Sequence, residues 1–225
     1  MCNYSSFPMN NTNDRFWSTL LCFVCIIAIH SNVQSQIPSA NVLLEKIAIH
    51  YQEPIEASFE HILTSDLWEG SQTMTGSIQL HKNQYRIETL YEVITGQDDE
   101  AWIYRPEENQ VLITTIDEEG LAYSPGTLFR SYERFYDAHT SEYDLLDGVP
   151  HYRLELSPIR SDVSIISLTL WVREHDLIPT KMVVLNQNSS QTEIHLSNIR
   201  VGVSFPPDMF EFYPPEGVEV IDLRS

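Results

Sequence analysis

Hydrophobic positions along this chain of 225 residues follow two different spacings. In residues 40–51 the apolar side chains recur every three or four positions, as on one face of an amphipathic helix: Leu43, Leu44, Ile47 and Tyr51. Ser39 follows Pro38 and supplies a side-chain oxygen of the kind that caps a helix N-terminus. The pattern therefore predicts a short helix with one buried face.

From residue 55 onward, apolar residues alternate with polar ones, which is typical of antiparallel strands that bury one face. In the first of these segments Ile55, Ala57 and Phe59 form the apolar face. The predicted strands cover residues 55–64, 73–80, 85–94, 101–104, 111–116, 151–156, 164–173, 180–187, 190–197 and about 208–213.

The alternation breaks once, in residues 124–139. The apolar residues of this segment fall on one face of a helix: Leu128, Phe129, Tyr132, Phe135 and Tyr136. The charged residues of the segment fall elsewhere around it. We therefore expect a second, aromatic helix between two groups of strands.

About ten short strands in one antiparallel sheet must curl. The apolar faces of two helices must also be buried, and the concave face of the curled sheet is the natural place. The pattern thus predicts a mainly β (α+β) fold and leaves two interpretations of the helices. In the first, they cover an apolar cavity. The alternative is that the helices fill the sheet as ordinary core.

The N-terminal segment, residues 1–35, has the features of a signal peptide. An uncharged apolar run from Leu20 to Ile29 follows Arg15, and Ser35 offers a small residue for cleavage. We expect a single exported domain over residues 36–225. Because Cys2, Cys22 and Cys25 all precede residue 36, that domain would lack disulfides and cysteine-ligated metal.

The composition excludes some partners. Thirteen Lys and Arg residues against 32 Asp and Glu residues give a formal net charge of −19. Such a chain repels the phosphates of nucleic acid and anionic lipid surfaces, so we expect no nucleic-acid partner. The acidity does not indicate a particular function, because a high net charge also increases solubility.

No motif predicts catalysis. The sequence contains no G-x-S-x-G, H-E-x-x-H, phosphate-binding loop or dinucleotide fingerprint. The histidines show no metal-ligand spacing, and runs such as Asp98-Asp99-Glu100 are typical of solvated turns. We therefore expect no enzyme activity, no catalytic residues, no metal and no cofactor.

Several segments together resemble the LolA family of periplasmic outer-membrane lipoprotein carriers. They are Ala57–His61, Gly76–Lys82 with Tyr85–Glu88, Ala101–Val111, Gly148–Pro158, Leu177–Met182 and Phe210–Ile221. Their order and spacing extend over nearly all of residues 37–222. The sequence departs from the family pattern at His61, Asn83 and Ile87, and Lys82 stands where many members carry an arginine tied to lid opening.

The resemblance implies an unclosed half-barrel whose helices cover an apolar cavity. It also implies a monomeric periplasmic protein that takes the acyl chains of lipoproteins from an inner-membrane ABC-type release complex. The protein would deliver them to the outer membrane, through an acceptor lipoprotein where one exists, without covalent chemistry.

Candidate site residues follow from the pattern and the resemblance. The acyl-chain cavity is expected to use Leu43, Ile47, Phe59, Tyr85, Ile87, Trp102 and Tyr104. The lid is expected to use Leu128, Phe129, Tyr132 and Phe135. Lys82 is either a latch for the lid or a solvated strand lysine. Two other functions stay open, a lipid- or lipoprotein-sensing module and a non-catalytic envelope structural protein with a filled core.

Overall fold

A computed structural model describes residues 37–67, 69–116 and 132–224. Helix α1 spans Ala40–His50, and a single 3₁₀ turn spans Tyr132–Arg134. The first six strands are β1 (Ile55–Thr64), β2 (Ser71–His81), β3 (Gln84–Thr89), β4 (Val93–Gln97), β5 (Glu100–Arg105) and β6 (Gln110–Thr115). The others are β7 (Tyr136–Leu146), β8 (Val149–Pro158), β9 (Ile165–Arg173), β10 (Pro179–Asn186), β11 (Gln191–Val201) and β12 (Glu219–Asp222).

The described strands form one sheet of twelve in the order β12-β6-β5-β4-β3-β2-β1-β11-β10-β9-β8-β7. Neighbouring strands are antiparallel except β12, which runs parallel to β6. Because β12 and β7 stand at opposite edges, the curved sheet is unclosed. The predicted fold class, a curved half-barrel with few helices, is confirmed.

Helix α1 covers one face of the sheet. The hydroxyl of Ser39 accepts a hydrogen bond from the Val42 N–H at 3.5 Å, which satisfies one free donor of the first turn. Leu43, Leu44 and Ile47 are almost fully buried. They share the hydrophobic core with residues from β8 and β9: Leu154, Leu156, Leu168, Leu170 and Val172. The helix predicted over residues 40–51 is therefore present and packs as expected.

The prediction of one strand over residues 85–94 is wrong, because the chain turns back after Thr89 and forms β3 and β4. The hydroxyl of Thr89 accepts hydrogen bonds from the N–H groups of Tyr91 and Glu92 at 3.1 and 3.0 Å. These bonds hold a tight loop that alternation of apolar residues does not reveal.

The helix predicted over residues 124–139 is wrong in its last part. The chain makes the 3₁₀ turn at Tyr132–Arg134 and then enters β7 at Tyr136. Tyr136 pairs with Pro158 of β8 and is buried, so its aromatic ring packs as a strand residue. Residues 124–131 lie outside the described residues.

The strand predicted over about 208–213 is also wrong. Residues 202–218 connect β11 to β12, which six strands separate in the sheet, so the connection crosses the sheet. The ring of Phe212 lies 6.0 Å from that of Tyr104 on β5, centroid to centroid. We call residues 202–218 the C-terminal strap. Within it, Phe212 packs on the sheet at Tyr104 instead of forming part of a strand.

In the ranges that the structure describes, no helix has the length and apolar character needed to cross a membrane.

Candidate functional site: an apolar cavity

The concave side of the sheet holds a cavity of about 420 Å³, within the range of about 300–1,000 Å³ that is typical of ligand pockets. Strands from β1 to β6 and from β9 to β11 contribute to its wall. The apolar lining residues include Ile55, Ala57, Phe59, Met74, Ile78, Leu80, Ile87, Ile94, Ala101, Ile103, Leu170, Met182, Ile194 and Leu196. The lining is thus mostly hydrocarbon.

Strand alternation decides which residues reach the cavity. On β1 the odd-numbered residues from Ile55 to His61 line it, and on β5 Ala101 and Ile103 do so. The intervening residues point to the opposite face of the sheet, because successive side chains of a strand alternate. One shift in register would therefore exchange the whole lining set.

Two aromatic rings lie flat against glycines on the neighbouring strands. Phe59 pairs with Gly76, and a Cβ added at residue 76 would come within 2.8 Å of the Phe59 ring. Tyr85 pairs with Gly96, where an added Cβ would overlap the Tyr85 ring. Glycine at these two positions therefore leaves the room that each ring occupies against the neighbouring strand.

Polar groups in the wall are few and carry shifted pKa values. Burial raises the pKa of Tyr51 above its ordinary range and that of Tyr85 to about 12, so both phenols are neutral at physiological pH. The Tyr85 hydroxyl is buried and has no hydrogen-bond partner among the described residues. Burial lowers the pKa of the His61 imidazole, which favours its neutral form.

The charged residue Lys181 also borders the cavity, but its ammonium is paired with other side chains of the protein. The Nζ atom lies 2.8 Å from Oε1 of Glu193 and 5.1 Å from the centre of the Trp171 ring. His195 contacts the same carboxylate at 2.5 Å. Burial works to raise the pKa of Glu193, but the hydrogen bonds from Lys181 and His195 outweigh it and lower the pKa. This network keeps charge out of the apolar wall.

The predicted cavity residues fall into three groups. Phe59, Tyr85 and Ile87 line the cavity. Leu43 and Ile47 do not; they are 1% and 0% exposed and belong to the core beside it. Assigning them to the cavity is corrected because their helix face packs directly on the sheet.

The assignment of Trp102 and Tyr104 to the cavity is wrong. Ala101 and Ile103 line it, so Trp102 and Tyr104 point to the other face, where Tyr104 meets Phe212 of the C-terminal strap. Both faces of β5 are covered, one by the cavity and one by the strap. Large aromatic side chains therefore do not indicate which face is concave.

The predicted lid residues are only partly described. Leu128 and Phe129 lie outside the described residues. Tyr132 and Phe135 are half-buried and pack against the hydrophobic core. The Tyr132 hydroxyl also donates a hydrogen bond to Oδ1 of Asn41 on α1, at 3.1 Å. This bond ties the start of the described segment to the helix.

Lys82 lies exposed in the two-residue turn between β2 and β3, with a φ of 55°. In the described part of the chain its ammonium has no hydrogen bond or ion pair, and residues 117–131, which include two of the four expected lid residues, lie outside that part. The latch therefore stays a prediction.

Sequence reasoning missed several lining residues, among them Met74, Ile103, Met182 and Ile194. The alternation within each strand could have identified them, because a strand with one residue in the cavity wall places every second residue there as well. Gly76 and Gly96 gave a second signal, because a glycine inside a strand marks the close approach of another group. In the described residues no group of three or more histidine, cysteine or acidic side chains could hold a metal ion.

An unclosed, curved and mostly antiparallel sheet around an apolar cavity defines the class of half-barrel proteins to which this molecule belongs. The family model described as outer membrane lipoprotein carrier protein LolA matches residues 53–213. The chain therefore belongs to the LolA family, as the sequence resemblance predicted.

Two curated relatives are each named outer-membrane lipoprotein carrier protein. The one from Shewanella pealeana is 24% identical over 188 residues, which cover 80% of this chain and 84% of the relative. The one from Nitrosomonas europaea is 25% identical over 214 residues, which cover 92% of this chain and 98% of the relative.

Solved structures agree on the fold. An uncharacterized conserved protein from Thermus thermophilus matches with a TM-score of 0.58 at 12% identity, covering 81% of this chain and 98% of its own. MucB matches with a TM-score of 0.50 at 14% identity, covering 81% of this chain and 65% of its own. At such identities the similarity concerns the fold alone.

Proposed function

We propose that this protein is a periplasmic carrier, which holds the acyl chains of lipoproteins in its cavity and shuttles them from the inner to the outer membrane. The observation that carries the proposal is the mostly apolar cavity of about 420 Å³ on the concave face. Membership of a family described as lipoprotein carriers supports it.

The physical need for such a carrier is large. Each methylene group transferred from water to an apolar site contributes about 0.8 kcal/mol, so a palmitoyl chain in water costs on the order of 12 kcal/mol. A triacylated protein does not cross an aqueous compartment at that cost unless its chains are shielded. Hydrocarbon walls that make no directional bonds shield a chain and still let it leave.

In this proposal the donor is an inner-membrane ABC-type release complex, and the acceptor is the outer membrane or an acceptor lipoprotein in it. The protein acts as a monomer and without a catalytic step. Cargo transfer depends only on the difference in affinity between donor, cavity and acceptor.

Native mass spectrometry tests the proposal. The purified protein is mixed with a triacylated lipopeptide in detergent, and the detergent is then removed by dialysis. We expect a soluble one-to-one complex that is lost when the acyl chains are removed from the lipopeptide. Precipitation of the lipopeptide alone, with no complex, would refute the carrier function.

A matched pair of variants locates the binding site. Ile94→Glu places a carboxylate in the cavity wall, whereas Ile166→Glu places one on β9 at a side chain that is 49% exposed. We expect the first change to abolish the complex and the second to leave it intact. Met74→Trp fills the cavity without adding charge, so it reports on binding even if Ile94→Glu impairs folding. Normal complex formation by a folded Met74→Trp protein would place the lipid elsewhere.

A further inference from the structure

His61 is a polar residue in an otherwise apolar part of the cavity wall. It lies on β1, two residues after Phe59, and its cross-strand neighbours are Met74 on β2 and Ile194 on β11. All four residues line the cavity. In the part of the chain that the structure describes, no hydrogen bond or ion pair joins the His61 imidazole to another group.

Two other imidazoles among the described residues have partners within the protein. The two ring nitrogens of His151, which is 3% exposed, lie 2.8 Å from the Val149 carbonyl oxygen and 2.8 Å from the Thr180 hydroxyl. His195 contacts Glu193. The imidazole of His61 is half-buried and makes no such bond among the described residues, so it is available to a partner that enters the cavity.

The surroundings keep this imidazole neutral. Desolvation lowers its pKa, and no neighbouring charge contributes to the shift. The ionisable residues that line the cavity from other elements are His50 and Tyr51 at the end of α1, Tyr85 on β3, Glu92 in the loop after β3, and Lys181 on β10 with its partner Glu193. A neutral imidazole offers one N–H donor and one acceptor nitrogen.

Burial along β1 gives the cavity a direction. Ile55 and Ala57 are 5% and 2% exposed, whereas Phe59, His61 and Leu63 are only half-buried. A linear ligand would therefore place its hydrocarbon tail toward Ala57 and its more polar end toward His61. The flat rings of Phe59 and Tyr85 lie in the wall that the tail would follow.

We propose that the N–H of His61 donates a hydrogen bond to the carbonyl oxygen of an ester- or amide-linked acyl chain, so that the cavity selects acyl chains with a carbonyl over plain hydrocarbon. The proposal rests on the proposed function and adds a residue that determines specificity. It also fixes the orientation in which the chain enters.

The experiment measures competition with the fluorescent dye diphenylhexatriene for the full-length protein. The competitors are methyl palmitate and hexadecane, which differ in the ester group. We expect the wild-type protein to prefer the ester by about three- to tenfold, the effect of one net hydrogen bond. His61→Leu should remove that preference, and His61→Gln should keep it because the side-chain amide still donates.

Acidification gives an independent readout. Once the pH falls below its lowered pKa, the imidazole takes up a proton, and a charge in the wall should weaken hexadecane binding to the wild-type protein. The same change should weaken hexadecane binding less in both His61→Leu and His61→Gln, because the other ionisable residues of the wall are the same in all three proteins. A merely structural role of His61 would produce no such difference between the proteins.

The outcomes separate the two proposals. If no acyl ligand displaces the dye from the wild-type protein, both the carrier function and the role of His61 are overturned. If it binds methyl palmitate but shows no preference over hexadecane, or if a folded His61→Leu protein keeps the preference, only the role of His61 is overturned. Parallel competitions with a triacylated lipopeptide and with diacyl phosphatidylcholine show whether the preferred acyl chains are those of lipoproteins or those of phospholipids.

Discussion

Two glycines control how much space the cavity has. At Gly96 the hydrogen in place of a side chain allows the ring of Tyr85 to lie against β4, and Gly76 on β2 does the same for the ring of Phe59. A ring that lies along the sheet occupies the wall, whereas a ring that stands upright occupies the cavity. The size of the cavity is therefore set partly by residues that have no side chain.

The variant Gly96→Ala tests this arrangement. Its methyl group would overlap the Tyr85 ring, so the ring must move toward the cavity. We expect a loss of about 1–3 kcal/mol in the free energy of unfolding, the usual cost of overpacking, together with weaker dye binding. Chemical denaturation and dye titration measure the two effects.

The control for Gly96→Ala is the double variant Gly96→Ala/Tyr85→Leu. Leucine lacks the ring that meets the new methyl group, so the two changes should not be additive. The Gly96→Ala change should cost much less stability in the Tyr85→Leu protein than in the wild type. An equal cost in both backgrounds would show that the ring is not what the methyl group displaces.

Helix α1 packs beside the cavity, in the core that it shares with β8 and β9. Ile47 is 0% exposed in the core, whereas Ile49 on the same helix is 69% exposed. The two positions share residue type, helix and local backbone, and they differ in burial.

We expect Ile47→Ala to lower the free energy of unfolding by about 2–5 kcal/mol, because it leaves a void in the core. Ile49→Ala should change it by no more than about 0.5 kcal/mol. Denaturant titration of both proteins makes the comparison. Similar losses for the two variants would contradict the assignment of α1 as a fixed part of the core.

The sequence predicted elements best where only one face of an element is buried. The spacing of Leu43, Leu44 and Ile47 identified α1, and the alternation from Ile55 to Leu63 identified β1. On β5 the alternation could not distinguish the two faces. Ala101 and Ile103 line the cavity on one face, and Tyr104 packs against the C-terminal strap on the other. Alternation needs a solvent-exposed face to show which side is inside.

The helix predicted around Tyr136 was wrong for a different reason. Tyr132, Phe135 and Tyr136 have helical spacing, but only the first two precede β7, and the third pairs with Pro158 across the sheet. A few aromatic residues at a junction imitate a helix face when the strand that follows is an edge strand with many polar residues. Long-range pairing, which local spacing does not contain, decided the structure.

At the scale of the whole molecule, the charge is far from balanced. The chain has 13 Lys and Arg residues for 32 Asp and Glu residues, so acidic side chains outnumber basic ones by more than two to one. The ion pairs that do form, such as Arg224 with Asp222 and Arg153 with Glu142, lie largely on the surface, where each contributes little. Mutual repulsion of the remaining carboxylates should oppose folding at neutral pH.

We therefore expect salt to raise the unfolding temperature at pH 7, because it screens this repulsion. Mild acidification should also raise it, as carboxylates lose charge. Further acidification should lower it. Hydrogen bonds from basic side chains lower the pKa of the half-buried Glu193, against the opposing effect of burial, and that of Asp222 to about 2. The contributions of such carboxylates, small singly, are present above their ordinary pKa values and are lost together as the pH falls through the lowered ones. Thermal unfolding over pH and sodium chloride concentration measures both effects. An unfolding temperature at pH 7 that falls with salt would show that specific ion pairs, and not net repulsion, dominate the electrostatics.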